Sequence, residues 1–421
     1  MELFWAVWNH PVVSEYILKR LPTIVIVLFV ILTVAAYLVY AERKISAFIQ
    51  ARLGPMRVGP YGLLQPLADA LKLISKEDII PARAERSIFV IAPVISVVAS
   101  LVVLAVIPFG PGRATITDIN IGLLFILAVS SVGVLGIILG GWASNSKYPL
   151  LGALRSSAQM VSYEVAIALA LVGPLMFTKT LSMVGVIEAQ MTDGIWYVFY
   201  QPVAFLIFLV GGLAETNRAP FDLPEAESEI VAGYHTEYSG FRWALYFVAE
   251  YTNIVISAAI AVTVFLGGWH FPGMTRVAEP GTRLYALLAV LVFAVKVFAI
   301  VYCFIWFRWT FPRYRYDQLM SLGWRWLIPA ALANILVTGV AFVLAQHLGL
   351  VETIRTETGE RLVSVWPWGK LFLIAASLLV GVPVIWVLLA VINRRSADFN
   401  LRVQRQIRLP ERGEEEVFAE V

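Results

Sequence analysis

Residues 119–143 read INIGLLFILAVSSVGVLGIILGGWA and contain no lysine, arginine, aspartate or glutamate. As a helix rising ~1.5 Å per residue, this run exceeds the roughly 30 Å of hydrocarbon in a bilayer. Lipid offers peptide groups no hydrogen bonds, so a segment of this kind crosses as a helix, which satisfies its own backbone. The pattern extends along the chain in both directions. Thr23–Ala41, Ile88–Phe109, Ile195–Ala214, Trp326–Leu350 and Leu371–Asn393 are also free of charge. Ser157–Thr178, Trp243–Trp269 and Leu284–Phe307 each hold one ionisable residue, respectively Glu164, Glu250 and Lys296. The sequence thus predicts an all-α, polytopic integral membrane protein of about nine transmembrane helices.

The composition agrees. Of 421 residues, 59% are hydrophobic and 14% charged, against about 25% charged in an ordinary soluble domain. A formal charge of +3 gives no reason to expect nucleic acid as a partner. The single cysteine, Cys303, excludes an intramolecular disulfide and any cysteine-rich metal or iron–sulfur site. The histidines are scattered over His10, His235, His270 and His347, and His235 with Glu237 is too little to hold a metal. With no nucleophile elbow or nucleotide fingerprint either, the chain is expected to carry no metal, no cofactor and no catalytic residue. A redox group would belong to a partner.

Basic residues set the expected orientation. With nine spans, 22 of the 32 lysines and arginines fall in segments 42–87, 144–156, 215–242, 308–325 and the tail after 393. The positive-inside rule makes that side cytoplasmic, with the N-terminus outside and the C-terminus in. Lys19 and Arg20 directly precede a full-length span, with no small-residue cleavage site, so span one is expected to stay in the mature protein. Residues 1–350 then form a membrane domain of eight spans. Residues 351–393 add a ninth span with its preceding loop, and 394–421 a charged cytoplasmic tail.

Two inner segments stand out. In residues 61–77, Gln65, Asp69, Lys72 and Lys76 share one helical face, and Leu64, Leu67, Leu71 and Ile74 the other. That is an amphipathic helix too polar to span, expected to lie along the interface. A turn-rich approach through Gly54, Pro55, Gly59, Pro60 and Gly62 precedes it. The second segment, within the loop 215–242, begins ETNRAPFDLPEAESE and sets Glu215, Asp222, Glu225, Glu227 and Glu229 against one base, Arg218. Asp222 and Glu225 have capping-box spacing with Pro224 between them, which predicts a helix start there, with Glu225 and Glu229 on one face. A solvated acidic cap and a functional acidic loop fit this composition equally.

A charge at mid-membrane costs on the order of 2.5 to 3.5 kcal/mol on insertion scales unless paired, neutralised or wet, so Glu164, Glu250 and Lys296 need partners or a cavity. Either they continue a polar file from the acidic loop to the membrane centre, or they are ion pairs that only fix helix packing. Gly136 and Gly140, four apart in a span, predict close helix packing. Arg308, Arg313 and Arg315 at an inner end read by default as snorkelling anchors.

The runs ERKISAFIQARLGPMRVGPYGLLQPLADALK (42–72), GWASNSKYPLLGALRSSAQMVSYE (141–164), AETNRAPFDLPEAESEIVAGYHTEYSGFRWALYFVAEY (214–251) and RYRYDQLMSLGW (313–324) closely resemble the H subunit of proton-pumping NADH:quinone oxidoreductase, respiratory complex I. The resemblance covers roughly residues 20–346. It departs at Met56, where the family usually has asparagine, and near Ser131, where some relatives have an acid.

The resemblance implies a membrane-arm subunit, inactive by itself, that contacts other membrane-arm subunits and the quinone-site subunits of the peripheral arm. It would form the membrane end of a chamber for a lipid quinone, the substrate, while FMN and iron–sulfur clusters sit in partner subunits. By motif, Arg43, Arg52 and Asp69 would shape the chamber. Glu164, Glu215, Arg218, Glu225, Glu227, Glu229, Glu250 and Lys296 would form a charge path that couples quinone reduction to proton translocation across the bacterial inner membrane. The equivalent subunit of a related membrane-bound hydrogenase or dehydrogenase, a stand-alone secondary cation transporter and a scaffold with structural charges are the alternatives.

Overall fold

The computed structural model describes residues 19–222, 231–356, 359–364, 368–379 and 381–383. The principal helices are α1 (Lys19–Ile49), α2 (Gln65–Ser75), α3 (Arg86–Val103), α4 (Gly122–Ala143), α5 (Lys147–Thr178), α6 (Met183–Asp193), α7 (Pro202–Glu215), α8 (Gly240–Phe265) and α9 (Arg283–Thr310). They are followed by α10 (Tyr316–His347), β1 (Val351–Thr356), β2 (Gly359–Ser364) and α11 (Trp368–Pro383). The two strands pair as an antiparallel hairpin, Val351 opposite Ser364; apart from it the architecture is helical.

Among the described residues, seven helices are long and apolar enough to cross a membrane: α1, α3, α4, α5, α8, α9 and α10. Of the other two expected spans, the one at residues 195–214 is shorter here. In residues 195–214, Gln201 leaves helical geometry and Pro202 opens α7, so a one-turn helix, Tyr197–Tyr200, precedes a 14-residue helix. Gln201 is buried, accepts from Asn334 at 2.6 Å and donates to Thr338 at 2.8 Å, which anchors the break to α10. Of the expected ninth span, residues 384–393 lie outside the described residues, as does the tail.

Helix α8 is the centre of the bundle, buried continuously from Ile254 to Phe265. Helix α1 is at its edge. Val25, Ile26, Phe29 and Val30 are exposed, whereas Ile31, Ala35 and Leu38 face inward. Between helices in lipid the hydrophobic drive is weak, so close packing of small residues decides association. A Cβ on Gly136 would lie 2.2 Å from Ser96 Oγ and 2.8 Å from the carbonyl oxygen of Ala92, and one on Gly140 2.1 Å from the hydroxyl of Tyr246. The two glycines therefore let α4 press against α3 and α8, the close packing expected of their spacing.

Helix α2 has the amphipathic form read from the sequence. Leu64, Leu67, Leu71 and Ile74 are exposed on one side, and Asp69 meets α1 on the other. The chain after α2 is tied to the start of α8: Arg242 pairs with Asp78 at 3.0 Å, and the backbone N–H of Ile79 donates to Ser239 Oγ at 3.1 Å. The C-terminal ends of α1, α7 and α9 and the N-terminal end of α8 thereby gather on one side, as an alternating topology requires, and there the charges meet.

Candidate functional site

Three carboxylates and three guanidinium groups form a linked set at these helix ends. Glu42, on the last turns of α1, is ion-paired with Arg308 of α9, and its other oxygen accepts from the Tyr251 hydroxyl at 2.6 Å. Arg218, just past α7, has one nitrogen 3.8 Å from Glu42 and another 3.5 Å from Glu250 of α8. Those separations make Arg218 a charge contact between two acids rather than a pair of short hydrogen bonds. Its guanidinium also lies 4.3 Å above the Tyr251 ring, a cation–π contact that favours a weakly hydrated arginine. Glu250 accepts from Tyr234 at 2.7 Å, and Asp222 pairs with Arg313 at 3.2 Å.

Gln159 of α5 builds the corner that holds Arg218. Its fully buried amide donates to the carbonyls of Ala214 at 2.8 Å and Phe221 at 2.9 Å, fixing both ends of the turn. Asp222 is buried at the end of that turn. Burial raises its pKa, which the charge of Glu250 reinforces, and Arg313, Arg308 and Arg218 oppose the rise. His235, among the rings of Tyr234 and Trp243, has its pKa lowered by burial, with Glu250 pulling the other way.

Deeper in the bundle the polar groups are sparser. Glu164 of α5 accepts from Ser131 of α4 at 3.1 Å, while its second oxygen is buried without a partner among the described residues. The charge of Glu164 acts on Glu215, at the end of α7. Glu215 lines a cavity of about 40 Å³ together with Ser96 and Ser100 of α3, Ser130 of α4, and Asn253 and Ser257 of α8. A water needs at least ~10–15 Å³ and two to four polar partners, so this space suits two or three.

The sequence-predicted residues thus fall into groups. Arg218 and Glu250 meet directly, and Glu215 lines the cavity, within electrostatic range of Glu164. Arg43 and Asp69 form an ion pair of 2.9 Å between α1 and α2, with Gln65 donating to the other carboxylate oxygen at 3.0 Å. Arg52 instead contacts Gln50, at 2.7 Å, and is exposed. Lys296 stands apart from the acids: its ammonium donates to the carbonyls of Leu266, Gly268 and His270 and lies 4.6 Å from the Trp196 ring. Glu225, Glu227 and Glu229, with the helix start expected there, lie outside the described residues.

Glu42 was not among the residues singled out from the sequence, yet it joins two of the arginines. The signal was present. Continuing the buried stripe of α1 from Ile31, Ala35 and Leu38 by one more helical step reaches Glu42, followed by Ser46, and all five are buried. Likewise Arg308 and Arg313, read by default as snorkelling anchors, each have a carboxylate beside the charged head.

Fold and site together define a multi-pass helical membrane protein whose interior carries ion-paired, ionisable side chains. The profile of the NADH dehydrogenase family matches residues 22–339. The second NADH-quinone oxidoreductase H subunit of Solibacter usitatus is 48% identical, over 81% of this chain and 100% of the relative. The second NADH-quinone oxidoreductase H subunit of Geobacter sulfurreducens is 52% identical, over 75% and 94%. The NADH-quinone oxidoreductase H subunit of Flavobacterium psychrophilum is 49% identical, over 79% and 99%. The chain belongs to this family, the H subunits of NADH-quinone oxidoreductase, and is a membrane subunit of that oxidoreductase complex.

Proposed function

We propose that this subunit forms the membrane end of the quinone chamber and couples quinone reduction to proton translocation through its buried charges. Arg43 and Asp69, with Arg52 nearby in sequence, shape the chamber where α1 and the interfacial helix α2 meet. A quinone with a long apolar tail reaches such a site from lipid, which favours a portal built from a span and an interfacial helix. The subunits bearing FMN and the iron–sulfur clusters dock on this face, the cytoplasmic one, in a bacterial inner membrane with the N-terminus outside.

The observation that carries the reading is Arg218 between Glu42 and Glu250. One cation shared by two acids at long contact distances can be rebalanced by a change of charge in the chamber, because strengthening one contact weakens the other. From there Glu215, the cavity it lines and Glu164 continue into the bundle. Moving one charge across the membrane costs about 2.3 kcal/mol per 100 mV, and a shift of two pKa units supplies about 2.7 kcal/mol. Several coupled groups are therefore required, and the acids of the loop, Glu225, Glu227 and Glu229, belong to the same set by motif.

Glu250→Gln in the assembled complex tests this. The variant is expected to assemble and to lose quinone reductase activity or protons pumped per electron. Full values of both would remove Glu250 from the coupling. The purified subunit alone in liposomes is expected to move no cations, whereas a stand-alone transporter would exchange them.

A further inference from the structure

Helix α8 ends in a largely buried turn. Thr263, Val264 and Phe265 are fully buried. Lys296, which touches the turn after α8, lies about 20 Å of helical rise along α9 from Arg283, near the middle of that helix. The last carbonyls of any helix lack intrahelical donors, and in an apolar layer leaving them unmet is costly.

Here two side chains from other helices supply the donors. Gln190 of α6 gives its amide to the carbonyls of Thr263 at 3.0 Å and Val264 at 3.1 Å. Lys296 gives its ammonium to those of Leu266 at 2.6 Å, Gly268 at 3.0 Å and His270 at 2.6 Å. The chain turns through left-handed φ values of 72° at Gly267 and 54° at Gly268. A Cβ on Gly268 would lie 2.3 Å from Ile187, so only glycine fits this turn, and the turn aims three carbonyls at one point. The negative end of the α8 dipole adds to the attraction for a cation, as does the face of Trp196.

We propose that Lys296 is a positioning residue, which with Gln190 caps α8 inside the membrane and thereby holds Glu250, on the same helix, in register with Arg218. An ammonium has three donors and no acceptor, and three carbonyls take all three donors. A neutral amine would lose one of these bonds and turn a lone pair toward carbonyl oxygens. No carboxylate among the described residues is within bonding distance to receive its proton. The arrangement is a fixed cation that holds a helix end, not a relay that gives its proton up.

The inference rests on the proposed coupling role of Glu250 and is tested in the assembled complex by comparing Lys296 with Gln190, which never titrates. Lys296→Met and Gln190→Leu are each expected to lower kcat for quinone reduction about fivefold with KM for quinone unchanged, and both to lower the temperature of inactivation. Lys296→Gln, a neutral donor, should recover much of the rate, and Lys296→Arg nearly all of it, with protons per electron unaltered in both. The proposal is overturned if Lys296→Gln assembles and reduces quinone yet loses protons per electron while Gln190→Leu keeps them. It is equally overturned if Lys296→Met leaves the inactivation temperature unchanged. If Glu250→Gln pumps normally, the coupling reading fails, but the shared thermal effect of Lys296→Met and Gln190→Leu still reports on the cap.

Discussion

The carboxylate of Glu42 and the guanidinium of Arg308 are ion-paired across 266 positions of sequence, joining the end of α1 to the end of α9. Helix α1 is otherwise a peripheral helix with most of its apolar surface turned outward, so this pair, with the contacts of Glu42 to Tyr251 and Arg218, ties it to the bundle. Removing one partner of a buried pair leaves the other charge uncompensated, at about 3–5 kcal/mol. Glu42 also faces Arg218, so Glu42→Ala strands Arg308 and leaves Arg218 to Glu250, and is expected to destabilise the subunit by about that much. Arg308→Met alone should cost less, and the double variant Glu42→Gln with Arg308→Met less than the sum. Thermal inactivation of the assembled complex measures all three, and additive losses would show that the two residues are energetically independent.

Gly136 and Gly133 lie on the same helix with different surroundings. A methyl on Gly136 collides with Ser96 and the backbone of Ala92, whereas the nearest atom to one on Gly133 is 3.8 Å away, on Ala99. Gly136→Ala is expected to force α3 and α4 apart, at a cost of about 1–3 kcal/mol, and Gly133→Ala to be tolerated. The amount of subunit in the assembled complex and its inactivation temperature read the difference. Equal behaviour of the two variants would mean that α3 and α4 are held by something other than close backbone approach.

Much of this was legible in the sequence, and the failures have physical causes. Runs without charge marked the long helices because lipid tolerates little else, and the four-, three-, four-residue spacing of Gln65, Asp69, Lys72 and Lys76 marked α2. The segment 195–214 was harder. Its apolar composition reads as a span, and what breaks it is local, Gln201 turning toward Asn334 and Thr338 just before Pro202. Glu42 was missed because a count of uncharged residues ends at Ala41, while the helix and its buried face continue. Spacing could show that Lys296 needed partners, but these are backbone carbonyls, which leave no trace in sequence.

His235 makes the stability of this face depend on pH. Its folded pKa is lowered by burial below the ordinary 6.5, so the unfolded chain binds the proton more readily. Stability then rises with pH across the window between the folded value and 6.5, is lost as pH falls through that window, and is flat above it. Between about pH 7.5 and 5.5 the wild-type complex is expected to lose more thermal stability than His235→Gln. Measuring both inactivation temperatures at each end of the range isolates this residue from the many carboxylates that titrate lower. Parallel losses in the two proteins would assign the whole slope to other groups.

The Arg43–Asp69 pair offers the sharpest separation of structure from function. Arg43 is about half exposed and Asp69 a quarter exposed along their side chains, and pairs this wet contribute roughly 0–1 kcal/mol. Asp69→Asn and Arg43→Gln are therefore expected to leave the inactivation temperature nearly unchanged. If the two residues shape the quinone chamber, both variants should raise KM for a short-chain quinone severalfold while altering kcat less, because the lost charge acts on access and orientation rather than on electron supply. The exchange variant, Arg43→Asp with Asp69→Arg, restores the tie between α1 and α2 but reverses the field that the chamber presents. A quinone KM near wild type in the exchange variant would mean that the tie alone matters. A KM as poor as in the single variants would mean that the quinone, or the partner subunit facing it, responds to which helix carries which charge.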